Sequence, residues 1–376
     1  MKIILCGILL FIFYLTIEKI LNNKRRKKIK YIIHVNGIRG KSTVSRLIDA
    51  GLRESNYKIF TKITGTAPRI INTFNEELEI IRKGKANIRE QIEVLKWATK
   101  EGADIVILEC MAVNPDFQKT CENSILKADI SVITNVREDH LDEMGKDLDE
   151  IAESLSNTIV KNGNLYTAEK KYFKYFEKKV KEKNTKIFLA DNLKKEYEEI
   201  DFPENVALAL EVCKFFGVSE AEALNGMKNY KKDMGVLDII TFNKKNKIHF
   251  VNAMAANDPM STEKILDKII LKSIWNNKRI LLLSNRKDRV SRGEQLAKLT
   301  KKIEKYFDEI IIFGESRELL KKILIKEKVK KEKIRLEKDR IFLEKIEEET
   351  LIFAVGNICG SGKELLEYIK KEENNA

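Results

Sequence analysis

The chain has 376 residues, 43% hydrophobic and 34% charged, enough for two domains with sizeable cores. Lys and Arg outnumber Asp and Glu by 71 to 58, a net charge of +13, which suits an anionic partner (nucleotide, acidic polymer, nucleic acid or anionic lipid) and equally fits a lysine-rich genome bias. Five scattered cysteines without a C-x-x-C pair exclude a disulfide framework or a zinc site and fit a reducing compartment.

In chain order, Ile3–Ile17 carries no charge, and Asn22–Lys30 reads NNKRRKKIK. The apolar run is short for a spanning helix, which needs about 20 residues. Its positive cluster follows the run, whereas a cleaved signal peptide carries its positive charge first. The expectation is an N-terminal anchor with the body of the protein in the cytoplasm.

Tyr31–Val35 reads as a buried strand leading into Asn36-Gly37-Ile38-Arg39-Gly40-Lys41-Ser42-Thr43. Val44, Leu47, Ile48, Gly51 and Leu52 then recur at helical spacing. Strand, glycine loop and helix together are the setting of a phosphate loop. Further strands are expected at 104–109 and 129–134, with a helix at 88–100 between strands. Residues 170–200 read as a peripheral helix and loop, and helices follow at 206–216 and 220–230. From about residue 237 the pattern restarts with a hairpin (239–242, 248–252) and parallel strands at 280–283, 309–313 and 351–355. The lysine-rich stretch 319–338 reads as a solvated helical face. The fold class expected is α/β. A P-loop ATPase-like doubly wound parallel sheet is joined to a smaller C-terminal α/β Rossmann-like domain, with an N-terminal hydrophobic helix in front.

Three strand ends carry chemistry. Gly37 and Gly40 let the backbone amides turn toward phosphate oxygens, and the helix start adds positive potential. Lys41 can reach terminal phosphates and Ser42 can ligate magnesium. Position 35, where the eight-residue phosphate-loop pattern has glycine, is Val35. Glu109 ends an apolar strand, at the edge where a doubly wound sheet binds ligands. His140 follows another strand, among the acids of Arg137-Glu138-Asp139-His140-Leu141-Asp142, and suits a metal. Read alone, each could be a solvated strand-end residue.

Gly37–Thr43, Glu109, Asn135…Asp139-His140-Leu141-Asp142 and Glu204-Asn205-Val206-Ala207-Leu208-Ala209 together resemble the Mur ligase and folylpolyglutamate synthase superfamily. His34–Thr43, Val251–Pro259, Ser284–Arg289 and Gly356–Leu365 resemble one branch of it, the ligase subunit of bacterial poly-γ-glutamate (capsule) synthase. The resemblance covers roughly residues 30–370. With the composition and patterning above, the expected organisation is an anchor helix (1–21), a basic linker (22–30), a central ATP-binding domain (31–235) and a C-terminal ligase domain (236–376).

The resemblance also implies ATP and Mg2+ as cofactors, and a carboxylate phosphorylated by ATP and then attacked by a glutamate amine. Asn36, Gly37, Ile38, Arg39, Gly40, Lys41, Ser42, Thr43 and Asn205 would bind the nucleotide. Ser42, Glu109 and His140 would hold metal. Arg286, Asp288 and Arg289 would join Lys41, Glu109 and His140 in catalysis. Thr66 and Arg69 would lie on the substrate side. The implied partners are glutamate and poly-γ-glutamate, small membrane-protein subunits and the membrane. Self-association is compatible with it, and no nucleic acid is expected.

The chain departs from the family pattern at two points. The stretch Asp149–Ser156 lacks the metal-bridging lysine of many Mur ligases, and the phosphate loop starts at residue 36, without a preceding nucleotide-sugar domain. The first is expected to remove that metal-bridging device, and the second weighs against a UDP-bearing cell-wall precursor as substrate. A folylpolyglutamate-type ligase is the alternative enzyme. A P-loop scaffold or nucleic-acid ATPase is the alternative class, weakened by the lack of aromatic residues interleaved with basic ones.

Overall fold

The computed structural model describes residues 2–64, 68–82, 84, 86–139, 141–231, 238–254, 259–284, 290–314, 317–356 and 361–373. It divides into two compact units, Met1–Lys232 and Asp233–Ala376.

The first unit opens with helix α1 (Lys2–Lys28), followed by β1 (Tyr31–Asn36), α2 (Lys41–Leu52), β2 (Ile59–Ile63), β3 (Arg69–Ile71), β4 (Glu77–Glu79), α3 (Glu90–Lys100) and β5 (Ile105–Glu109). Next come α4 (Pro115–Thr120), which continues as a π-helical turn over Cys121–Leu126, then β6 (Ile130–Ile133), α5 (Leu141–Met144), α6 (Leu148–Ser156), β7 (Asn164–Thr167), α7 (Phe173–Glu182), β8 (Lys186–Leu189), α8 (Pro203–Phe215) and α9 (Glu220–Lys228).

The eight strands form one sheet in the order β4-β3-β2-β5-β1-β6-β7-β8. From β2 to β8 all neighbours are parallel, while β3 and β4 fold back antiparallel at one edge. Alternation along β1 divides its side chains between two cores. Ile33 and Val35 pack with Leu47, Val206 and Met227 of α2, α8 and α9. Ile32 faces Leu95 and Ala98 of α3 and Leu126 of the π-helical turn. Helices on both faces make the sheet doubly wound.

Three local readings are corrected. The basic stretch 22–30, expected to be a linker, continues α1 as far as Lys28. Lys and Arg are good helix formers, and tertiary contacts pin this segment. Asn22 is buried and donates to Ile125 O at 2.9 Å, and Arg26 pairs with Asp129 at 2.5 Å. Residues 170–200 contain the edge strand β8, whose residues alternate exposed and half-buried. Such a short edge strand has no buried face to set it apart from a loop.

The second unit holds β9 (Asp238–Asn243), β10 (Lys247–Asn252), α10 (Pro259–Ile270), β11 (Lys278–Ser284), α11 (Val290–Ile303), β12 (Glu309–Phe313), α12 (Arg317–Lys326), β13 (Ile334–Glu337), β14 (Thr350–Gly356) and α13 (Ser361–Glu373). Its sheet order is β13-β12-β11-β14-β10-β9, parallel except for the β9–β10 hairpin. The third correction falls here. The stretch 319–338 is helical only to Lys326 and ends in β13. Arg335 on that strand pairs with Glu309 at 2.9 Å and Glu337 at 3.0 Å, so part of its charge serves the sheet edge.

Candidate active site

The strand ends of the first unit meet around a cavity of about 210 Å³, lined by Asn36, Gly37, Ile38 and Lys41 from the phosphate loop and by Thr64, Arg82, Ala86, Met144 and Glu109–Val113. The loop owes its course to two glycines in left-handed backbone. Gly37 has φ 127, and a Cβ there would lie 2.0 Å from Thr134 Oγ1. Gly40 has φ 76 and forms the N-cap of α2, and a Cβ there would lie 2.9 Å from Asn205 Oδ1. Only glycine meets both demands, conformation and close approach.

The segment after β6 clamps the loop from the other side. Thr134 Oγ1 donates to Arg39 O at 2.6 Å and Asn135 Nδ2 to the same oxygen at 3.0 Å. Arg39 N donates to Asn135 Oδ1 at 3.1 Å. Arg39 also pairs with Asp139 at 2.9 Å. Asn36 is buried and donates to Gln118 at 3.0 Å and Thr158 at 3.2 Å, fixing the end of β1.

Lys41 folds over its own loop and donates to Gly37 O at 2.7 Å. Burial holds its ammonium below the ordinary lysine range, against the opposing pull of Glu109. A triphosphate would supply the missing counter-charge. Glu109 is buried, and its Oε2 accepts from Ser42 Oγ at 2.9 Å and from Thr64 N at 2.6 Å. A hydroxyl and a carboxylate in contact form an oxygen donor pair of the kind a hard divalent cation takes. Thr43 is half-buried in the first turn of α2. Asn205, held by Asp201 at 2.8 Å, packs on Gly40.

The remaining expected residues fall elsewhere. Thr66, His140, Arg286, Asp288 and Arg289 lie outside the described residues. Among the described residues no cluster of three or more His, Cys, Asp or Glu could hold a metal. Arg69 does not line the cavity and lies 3.6 Å from Glu77. Glu77 also takes Arg46 at 2.6 Å.

Arg82 was not expected in the wall. It forms a two-pronged ion pair with Glu90, at 2.7 and 3.0 Å, and Glu90 also pairs with the fully buried Lys62 at 2.6 Å. Burial holds Lys62 below the ordinary lysine range although Glu90 opposes it. Behind the wall, His34 Nδ1 contacts Glu122 at 2.8 Å. Burial pulls its pKa down, but the neighbouring Cys110 and Glu122 outweigh that and raise it to about 10. The signal for Arg82 in the sequence is faint: a basic run, Arg82-Lys83-Gly84-Lys85, next to the cavity-forming loop.

The chain is similar to known proteins over nearly its whole length. Residues 35–223 match the Mur ligase middle domain, and residues 238–372 match the poly-gamma-glutamate synthase CapB C-terminal domain. The chain is 35% identical to the capsule biosynthesis protein CapB of Bacillus anthracis, covering 98% of this chain and 82% of that protein. It is 38% identical to the PGA synthase CapB of Bacillus subtilis, covering 98% and 96%. A bifunctional folylpolyglutamate synthase/dihydrofolate synthase solved with Mn, AMPPNP and L-glutamate bound shares the fold, at TM-score 0.71 and 13% identity over 93% of this chain and 92% of that one. The chain therefore belongs to the Mur ligase superfamily and, within it, to the poly-γ-glutamate synthase CapB family.

Proposed function

We propose that this chain joins glutamate units by transferring the γ-phosphoryl group of ATP to a γ-carboxylate and letting the amine of another glutamate displace the phosphate. Its family makes it an ATP-dependent amide ligase of polyglutamate synthesis. The steps and residue roles are the proposal. The observation that carries it is the loop Gly37–Ser42, curled by two glycines and joined through Ser42 to the buried Glu109.

In the first step a carboxylate oxygen attacks the γ-phosphorus and the bond to ADP breaks. In the second, the amine nitrogen attacks the acyl carbon and phosphate leaves with that oxygen. Backbone amides of residues 37–42 hold the phosphates, and Lys41 leaves Gly37 O for the β- and γ-oxygens. Ser42 and Glu109 would hold magnesium, with His140 at a second position. The metal would neutralise charge on the phosphates. Asn205 approaches the nucleotide from beside Gly40. The family resemblance assigns Arg286, Asp288 and Arg289 to catalysis and Thr66 to the substrate side; Arg69, outside the cavity wall beside Glu77, is assigned there by the resemblance alone. The relative solved with Mn, AMPPNP and L-glutamate supports this set of ligands.

Helix α1 is long and apolar enough to cross a membrane. It anchors the chain on the cytoplasmic face, beside small membrane-protein subunits of a synthase. The test is ADP and phosphate release by the membrane-extracted protein with Mg-ATP and glutamate, measured alongside γ-linked polymer, with Lys41→Ala as control. Glutamate-dependent release that the variant lacks supports the reading. Hydrolysis indifferent to glutamate overturns the substrate assignment.

A further inference from the structure

The direction in which α1 leaves the first unit bears on where the polymer is made. The lower part of α1 is tied to the edge of the sheet where the parallel strands begin. Arg26 pairs with Asp129 just before β6, and the same carboxylate accepts the Ile32 amide of β1. Higher up, Glu18 pairs with Arg89 at 2.6 Å. Arg89 caps the start of α3, and the next residue, Glu90, binds Arg82 of the cavity wall. Between Arg26 and Glu18 the helix climbs roughly 12 Å at 1.5 Å per residue, comparable to the roughly 16 Å length of a five-residue strand such as β5. It thus passes from the strand-start edge to the cavity edge.

Every large apolar side chain from Ile4 to Phe13 is more than 45% exposed, and none of that stretch is buried. The residues ahead of Glu18 continue past the rim for roughly 24 Å. The apolar stretch runs into Glu18 within one continuous helix, and Glu18 is tied to Arg89 at the rim, so no linker separates the rim from the apolar part of α1. Exposed apolar side chains lie at both ends of the domain, so they do not choose the orientation. Ile81 (88% exposed) is beside Arg82 at the cavity end, and Phe74 (78% exposed) is in the β3–β4 turn at the opposite end. The direction of α1 does choose it.

We propose that α1 holds the cavity rim of the first unit against the lipid headgroups, with Ile81 at the bilayer surface and Phe74 turned away, so that the ligase works at the membrane face. This rests on the anchor reading of α1. It makes the polymer's point of synthesis adjacent to the bilayer, where a membrane subunit could take the chain directly.

The test uses the full chain in a Cys6→Ser background, with Ile81→Cys and Phe74→Cys made separately and labelled with an environment-sensitive dye. The protein without an added cysteine gives the background signal. Each is reconstituted into vesicles of phosphatidylcholine and phosphatidylglycerol, with or without headgroup nitroxide lipid, and checked by flotation. The proposal expects blue-shifted emission and nitroxide quenching at position 81 and neither at 74. Quenching at 74 alone, equal quenching at both, or none at either in chain that floats overturns the orientation while leaving the anchor intact. Chain that fails to float overturns the anchor and the orientation with it.

Discussion

Ser42 Oγ donates to Glu109 Oε2 across 2.9 Å, linking the first turn of α2 to the end of β5. The same oxygen accepts the Thr64 amide at 2.6 Å. One buried carboxylate thus ties together three elements at the phosphate loop, and it is the strongest of the charges that oppose the effect of burial on Lys41.

Replacing Glu109 by Gln keeps an acceptor for both donors and removes the charge. Glu109→Gln should therefore fold, with a melting temperature within about 4 °C of the wild type. Its rate of glutamate-dependent ADP release should fall by roughly 100-fold or more, equivalent to about 2.7 kcal/mol. Steady-state kinetics over a range of magnesium concentrations checks this. A variant with wild-type rate would remove Glu109 from the metal site.

Gly37→Ala should disable the loop in two ways. Left-handed backbone costs an alanine roughly 1–2 kcal/mol, and the new Cβ would meet Thr134 Oγ1 at 2.0 Å and Thr134 N at 2.9 Å. Because one of these atoms is backbone, adding Thr134→Ala should not restore function. The expected result is at least a roughly tenfold loss of nucleotide affinity, about 1.4 kcal/mol, in both variants, measured by titration calorimetry with a non-hydrolysable ATP analogue.

Asn205 is held against Gly40 by its bond to Asp201 at 2.8 Å. Asn205→Ala removes one polar contact of the kind worth about 1 kcal/mol. The KM for ATP should rise several-fold with kcat little changed. A fall in kcat at constant KM would mean that Asn205 serves the chemistry rather than the nucleotide.

His34 gives a pH-dependent test of the wall behind the cavity. Its pKa is raised from the ordinary 6.5 to about 10, because Cys110 and Glu122 outweigh the opposing effect of burial. A group with a raised folded-state pKa stabilises the fold fully below about pH 6.5, and the contribution is lost as pH climbs toward 10. The difference in urea midpoint between wild type and His34→Gln should therefore shrink from pH 7 to pH 10. A constant difference would mean that His34 does not carry the charge.

Much of the nucleotide-binding unit can be read from the chain because local and tertiary signals agree there. The apolar run Tyr31–Val35 enters a glycine-bearing turn, and Val44, Leu47 and Ile48 mark the face of α2 that packs on the sheet. The strand β2 escaped because Lys62 interrupts its apolar pattern. Its ammonium is satisfied by Glu90, Gln91 and Met111, all distant in sequence. Edge strand β13 escaped because its half-buried positions mix arginine and glutamate with apolar residues, and β8 because it is only four residues long and has no buried face. Likewise, the basic end of α1 resembles a linker until Asn22 and Arg26 find their partners about a hundred residues away.

The central claim, phosphorylation of a glutamate γ-carboxylate, is tested most directly by isotope transfer. The enzyme is supplied with Mg-ATP and glutamate carrying 18O in its γ-carboxylate, and the released phosphate is analysed by mass spectrometry or 31P NMR. The mechanism predicts one 18O atom in each phosphate formed together with an amide bond, and none with Lys41→Ala, which should form no product. Polymer made with unlabelled phosphate would contradict the acyl-phosphate route.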